Sequence, residues 1–362
     1  MELKKTPLYD EHVKLGGKVV DYAGWALPVQ YEGIMKEHKA VRTAAGIFDV
    51  THMGEIIVKG KDALEYLQYI FTNDLSKLTK NRIIYTFLCY PDGGVVDDLL
   101  VYKIDEDEYM LVPNAANTDK DFKWMIDNKK NFNIIIENVS DQIGEVALQG
   151  PLSEKILNEL TEEDLSEIKP FSFKKDIIIA DVKALVSRTG YTGEDGFEIY
   201  TSSEDIKKVW NSILEVGEKY GIAPTGLGCR DTLRFEAGLP LYGHEISENI
   251  SPLEGDLKFF VKLNKEDFIG KEVLEKQDKN LSRKVVGFEL KGRGVPRENY
   301  EIHKNGNKIG HVTTGYFSPT LKKNIGMALI DIAETEIGNE IDIIIRNKPV
   351  KAEIINKRFY KR

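Results

Sequence analysis

From Arg82 to Val112 the chain runs as two apolar, β-branched and aromatic stretches on either side of Pro91-Asp92-Gly93-Gly94. A β-hairpin with its turn at Asp92 to Gly94 is the expected outcome, because glycine supplies the positive φ that a tight turn requires. Side chains alternate along the second strand, which puts Asp98, Leu100 and Tyr102 on one face and Asp97, Leu99 and Val101 on the other. With Tyr90 paired to Val95, Asp98 falls opposite Phe87 and beside Tyr85; a slip of one residue exchanges the faces. A carboxylate held against aromatics on a covered strand is costly unless it is partnered or used. The pattern alone leaves two outcomes open: one aspartate caps the turn while the other meets solvent, or Asp98 belongs to a site.

The same periodicities divide the rest of the chain. Thr6 to Trp25, broken by Gly16-Gly17 and Gly24, predicts strand and turn. Helices are predicted at Tyr31 to Thr43, Lys61 to Phe71, Ser153 to Leu160 and Ser203 to Tyr220, and at Asn117 to Asn128 with Phe122, Met125 and Ile126 inward. A strand follows Gly54, and another lies at Tyr109 to Val112. A boundary falls between Gly270 and Arg283. Beyond it Lys284 to Leu290, Ile309 to Thr313, Met327 to Ile330, Glu340 to Ile345 and Lys351 to Ile355 read as short strands with almost no helix, the pattern of a small antiparallel barrel or sandwich. Hairpin signals outnumber strand-helix-strand signals, so the fold class is α+β.

Composition narrows the function. A chain of 362 residues exceeds one ordinary core, and its net charge of −9 without long single-sign runs argues against a general nucleic-acid binder. Cys89 and Cys229 stand far apart, in no spacing that suggests a metal or disulfide framework, which fits a reducing compartment. Neither a signal-peptide core nor a membrane span is evident, and a cytoplasmic protein is expected.

Several chemistries lack support. Gly226-Leu227-Gly228 continues into Cys229-Arg230-Asp231 without completing a dinucleotide fingerprint, and the six histidines are scattered, so no metal site is expected. His52 reads either as a general base or as a hydrogen-bonded structural residue. Three further stretches place polar groups where interior is expected: Ser187 to Tyr200, Gly226 to Gly243 with Arg230, Asp231, Arg234 and Glu236 on a predicted helix, and Leu111 to Asn117. Each has a structural explanation as well: a tight turn, a salt-bridged helix face, an Asx turn.

Taken together, Phe48-Asp49-Val50-Thr51-His52-Met53-Gly54-Glu55, Gly93-Gly94-Val95-Val96-Asp97-Asp98-Leu99, Asn114-Ala115-Ala116-Asn117, Arg188-Thr189-Gly190-Tyr191-Thr192-Gly193-Glu194-Asp195-Gly196, Arg230-Asp231, Leu241-Tyr242-Gly243 and Ser318-Pro319-Thr320 resemble the T-protein family of the glycine cleavage system, the folate-dependent aminomethyltransferases. The likeness runs in one order from about residue 6 to the C-terminus. It implies a multi-domain folate-binding fold of mixed, mainly antiparallel sheets with a C-terminal antiparallel β-barrel. The expected division is 1–275, two interwoven subdomains of which the first is discontinuous, and 283–362, the barrel.

The resemblance also implies the reaction. An aminomethyl group carried on the lipoyl arm of the H-protein gives its carbon to tetrahydrofolate, and ammonia is released. By position Asp98 is the catalytic carboxylate, with Asp97 structural. Met53, Tyr85, Asn114, Tyr191, Glu198, Arg230 and Tyr360 are the folate-binding residues. Lys322, Lys323 and the basic C-terminal tail are candidates for docking the H-protein. The chain departs from the family at Pro113, which precedes the asparagine, and at Phe259, where relatives often carry tryptophan. Two other readings share the folate half: an accessory protein of iron-sulfur assembly, whose lysine-glycine-cysteine loop is absent at Leu241 to Glu245, and a tetrahydrofolate-dependent demethylase.

Overall fold

A computed structural model describes residues 2–362. The chain forms two compact units that do not follow chain order. The first comprises Met1–Tyr66, Leu75–Ile84 and Leu99–Leu233, and the second Leu67–Asp74, Tyr85–Asp98 and Arg234–Arg362.

The first unit is built on a six-stranded sheet in the order Phe173–Ile179, Val182–Ser187, Gly196–Ser202, Ile143–Gln149, Ala45–Asp49 and Ile222–Pro224. All neighbours are antiparallel except the last pair, Ile222–Pro224 against Ala45–Asp49. The helix Ile206–Gly217 buries Ile206, Val209, Trp210, Ile213 and Gly217, an apolar stripe at helical spacing. That stripe joins Ile47, Val146, Leu148, Phe197 and Ile199 in one core. Phe197 and Ile199 thus face this core while Glu198 and Tyr200 face the other side, and all four are buried.

A second sheet, in the order Ile83–Cys89, Val95–Asp105, Glu108–Val112, Ile56–Lys59 and Ile135–Asn138, contains the expected hairpin. Its turn closes with Gly93 N–H donating to Tyr90 O at 3.0 Å and Tyr90 N–H to Gly94 O at 2.8 Å. Gly93 has φ +88°, and a Cβ on Gly94 would lie 2.0 Å from Glu248 O, so each glycine is required for a different reason. The expected rung of Tyr90 on Val95 is corrected to Tyr90 on Gly94. Val95 turns its N–H away from the hairpin to Ser247 O. The turn is capped by Asp92, whose Oδ1 accepts from Gly94 N–H at 3.1 Å, and not by either aspartate further along the strand.

In the second unit, Arg283–Leu290, Asn324–Asp331, Asn307–Phe317, Glu301–Lys304, Glu340–Ile345 and Lys348–Ile355 close into a barrel. Neighbouring strands in it run antiparallel. Phe288, Ile302, Val312, Ile330, Ile343 and Ile354 fill it. The strand Glu301–Lys304 is absent from the sequence expectation, because Glu-Ile-His-Lys offers one apolar residue and becomes a strand only when both flanking strands pair with it. Two smaller expectations are also corrected. Tyr9–Lys14 is a helix in the region expected to be strand and turn. Ile126 is exposed, because the buried positions of the helix Thr118–Asp127 are Asp121 and Met125.

Candidate functional site

In the second unit the strand Ile83–Cys89 carries Tyr85, and the strand Val95–Asp105 carries Asp98. The Tyr85 hydroxyl donates to Asp98 Oδ2 at 2.7 Å, so the two side chains lie beside each other, as expected. Both side chains are half-buried, which leaves the carboxylate accessible. Phe87 and Phe260 meet the Tyr85 ring edge-on at 5.2 and 4.8 Å, and Asn73 Nδ2 donates to Tyr85 O at 2.8 Å. Lys265 Nζ donates to the carbonyls of Gln68, Phe71 and Asn73 and fixes the segment that carries Asn73. Asp98 is therefore held by a phenol that packing has already immobilised. Asp97 is fully buried. Tyr360 belongs to the same unit, where its N–H donates to Glu236 O at 2.7 Å beside a Phe359–Phe235 contact.

In the first unit Arg230, on the helix Leu227–Glu236, lies over the Tyr191 ring at 4.6 Å. Its charge also acts on Glu198. Burial raises the Glu198 carboxyl above the usual range, and a hydrogen bond from Thr189 Oγ1 and the Arg230 charge offset part of that rise. Met53 is half-buried and packs among Ile83, Tyr102, Phe173 and Tyr200. Asn114 follows the strand Glu108–Val112, and its carbonyl accepts from Asn117 N–H at 2.8 Å and Thr118 Oγ1 at 3.2 Å, the turn that opens the helix Thr118–Asp127. Pro113 gives its carbonyl to Gly54 N–H at 3.2 Å.

Electrostatics settle His52. Burial first and Arg230 second push its imidazole from 6.5 to about 4, Nδ1 has no hydrogen-bond partner, and Tyr22 packs on its edge at 5.8 Å. His52 is a neutral interior residue. Asp49 is instead partnered, by Thr6 Oγ1 at 2.6 Å and His12 Nε2 at 2.8 Å.

Sequence reasoning missed the groups around Glu198. Glu145 lies buried in Ile143–Gln149 with Oε2 unpartnered, and Glu55 is buried with both oxygens unpartnered. Burial raises both carboxyls well above the usual range. A lone glutamate inside Ile-Gly-Glu-Val-Ala-Leu-Gln, a strand covered on both faces, was the available signal. The salt-bridged helix face expected around Arg230 to Glu236 is also resolved differently. Arg234 NH1 pairs with Glu245 Oε2 at 3.0 Å, both buried, and Glu245 also accepts from Thr313 and Thr314. Phe259 is 76 % exposed, with Lys262 Nζ over its ring at 4.3 Å. Lys323 pairs with Glu289 at 2.9 Å. Among the described residues no group of three or more His, Cys, Asp or Glu is placed to hold a metal, and no helix is long and apolar enough to cross a membrane.

The GCVT N-terminal domain family matches residues 8–265, and the glycine cleavage T-protein C-terminal barrel domain matches residues 283–361. The chain is 61% identical over 361 residues to the aminomethyltransferase of Caldanaerobacter subterraneus subsp. tengcongensis, covering 99% of this chain and 96% of that one. It is 59% identical to the aminomethyltransferase of Alkaliphilus oremlandii over 362 residues, covering 100% and 98%. The solved glycine cleavage system aminomethyltransferase T from Bartonella henselae superposes with a TM-score of 0.92 at 32% identity, covering 99% and 98% of the two chains. The class that fold, barrel and relatives define is the aminomethyltransferase. The chain belongs to the glycine cleavage T-protein family.

Proposed function

We propose that this chain transfers the methylene carbon of an aminomethyl group, carried on the lipoyl arm of the H-protein, to tetrahydrofolate and releases ammonia. It is an aminomethyltransferase of glycine cleavage. The observation that carries the residue-level reading is the Tyr85–Asp98 pair at 2.7 Å, an accessible carboxylate immobilised by a packed phenol. Breaking the carbon–sulfur bond leaves positive charge on the carbon. A carboxylate about 4 Å away, at an effective dielectric near 20, stabilises that charge by roughly 4 kcal/mol. Asp98 also takes a proton released as the acceptor's N–H bonds are replaced by bonds to carbon. Of the two protons lost there, one ends on sulfur and one on the departing nitrogen, so atoms and charge balance.

Tetrahydrofolate supplies the nucleophilic nitrogens, and the residues present fit it. Glu198 is a buried acceptor suited to the adjacent amide N–H and amino group of a pterin. Arg230, stacked on Tyr191, suits an anionic portion or holds Glu198 as a carboxylate. Met53 and Tyr85 supply apolar and aromatic surface, Asn114 an amide, and Tyr360 an aromatic ring. We assign 1–275 to the folate-binding region and 283–362 to the barrel domain. Both cysteines are free and buried, which accords with a reducing cytoplasm. Relatives named aminomethyltransferase at 54–61% identity do not favour the accessory reading.

The test is formation of methylenetetrahydrofolate and ammonia from aminomethylated H-protein and tetrahydrofolate, native chain against Asp98→Asn. Turnover that collapses in the variant while folate still binds supports the assignment. Folate binding without turnover in the native chain overturns it.

A further inference from the structure

Glu198 is one end of an unbroken line of buried hydroxyls. Thr189 Oγ1 donates to Glu198 Oε2, and Ser187 Oγ lies 2.6 Å from Thr189 Oγ1. Tyr102 OH lies 3.2 Å from Ser187 Oγ and 2.9 Å from Tyr200 OH. Tyr200 stands directly across the ladder from Glu145, and its hydroxyl lies close enough to that carboxyl to favour its charged form. Ser187, Thr189, Tyr102, Tyr200 and both glutamates are buried. The line draws on the strands Val95–Asp105, Ile143–Gln149, Val182–Ser187 and Gly196–Ser202, so no local motif creates it.

A hydroxyl has one proton to give and can accept another, so such a chain has two consistent directions. With every hydroxyl donating toward Glu198, Glu198 is a carboxylate and Glu145 keeps its proton. With every hydroxyl donating the other way, the proton sits on Glu198 and Glu145 is charged. One proton hop per link converts one state into the other and moves a single proton end to end, with no other reactant. We infer that Glu145 and Glu198 share one proton along this chain, so that Glu198 becomes the carboxylate that a ligand's paired N–H donors require without releasing its proton to solvent. Glu145 is in this sense a positioning residue. The inference rests on the folate reading of Glu198.

The surrounding charges fit the sharing of one proton. Arg230 favours the charged form of both carboxyls, while Glu198 and Glu55 oppose charge on Glu145. The Tyr102 and Tyr200 hydroxyls are both pushed up by burial and by these two glutamates, so they pass protons on without becoming phenolates.

The test measures tetrahydrofolate binding by calorimetry in buffers of different ionisation enthalpy, from weakly acidic to neutral pH. The native chain is expected to bind with almost no net proton exchange. Tyr200→Phe, Tyr102→Phe and Thr189→Val each cut the chain at a different link, whereas Ser187 can be bypassed because Tyr102 OH also lies 3.5 Å from Thr189 Oγ1. Each is expected to turn on release of close to one proton, with affinity falling toward tenfold per unit of pH on the acid side. A merely structural role would weaken binding in the variants without creating that proton release, and this result overturns the relay, as does full proton release by the native chain. If the native chain fails to bind tetrahydrofolate, the folate reading falls while the relay is still decided by the infrared carboxylic-acid band of the free protein. Measured in a Glu55→Gln background, which removes the band of that third buried carboxyl, one shared proton keeps the band in Glu145→Gln and in Glu198→Gln and loses it only when both are replaced. Additive loss in the two single variants refutes sharing.

Discussion

The Tyr85 hydroxyl donates to Asp98 Oδ2 at 2.7 Å, and the phenol is itself held by Phe87 and Phe260. Orientation of the carboxylate thus depends on an aromatic cluster as well as on its own strand. Removing the donor while keeping the ring tests that dependence. Tyr85→Phe is expected to lower kcat by roughly 10- to 100-fold, the range for one hydrogen bond to a charged group. Asp98→Asn, which keeps an acceptor for the phenol, is expected to lose roughly 100- to 10,000-fold. Steady-state assay of ammonia release checks both, and equal losses in the two variants would contradict a supporting role for the phenol.

Arg230 over Tyr191 makes a lysine substitution informative, because charge survives while the planar stack is lost. Arg230→Lys is expected to weaken tetrahydrofolate binding by roughly 5- to 30-fold, corresponding to about 1–2 kcal/mol. Fluorescence titration measures it, and an unchanged Kd would remove the stack from the binding account.

His52 is held near 4 in the fold against an ordinary 6.5, so between those values the unfolded chain binds more protons. Its contribution to stability is therefore complete above about 6.5 and is lost as pH falls through about 4. A shift of that size amounts to about 3 kcal/mol. His52→Gln is expected to flatten the pH dependence of urea unfolding across this window. A slope unchanged from the native chain would show that His52 is protonated in the fold.

Arg234 and Glu245 form a buried ion pair that Thr313 and Thr314 complete. Arg234→Met leaves a buried carboxylate without its cation and is expected to cost about 3–5 kcal/mol in denaturant unfolding. The further change Glu245→Gln is expected to restore much of that loss, and failure to recover would place the cost in packing.

The sequence by itself determined what short-range rules control. Pro91 to Gly94 forces a hairpin because its glycines admit a positive φ and a close backbone approach. The alternation after Arg283 yields barrel strands, since one face of each strand has to be buried. The ordered motifs place Asp98 in its family by number alone. The tertiary structure decided everything that depends on partners distant in the chain. Tyr90 meets Gly94 because Val95 is taken by Ser247. Arg234 turns to Glu245 instead of to its own helix face. The lone Glu145 becomes intelligible only when Tyr200 is set across from it and Tyr102 beside that tyrosine. Burial of a charge is a property of the whole surrounding shell, and the shell of each of these groups is gathered from strands whose spacing along the chain carries no record of the contact.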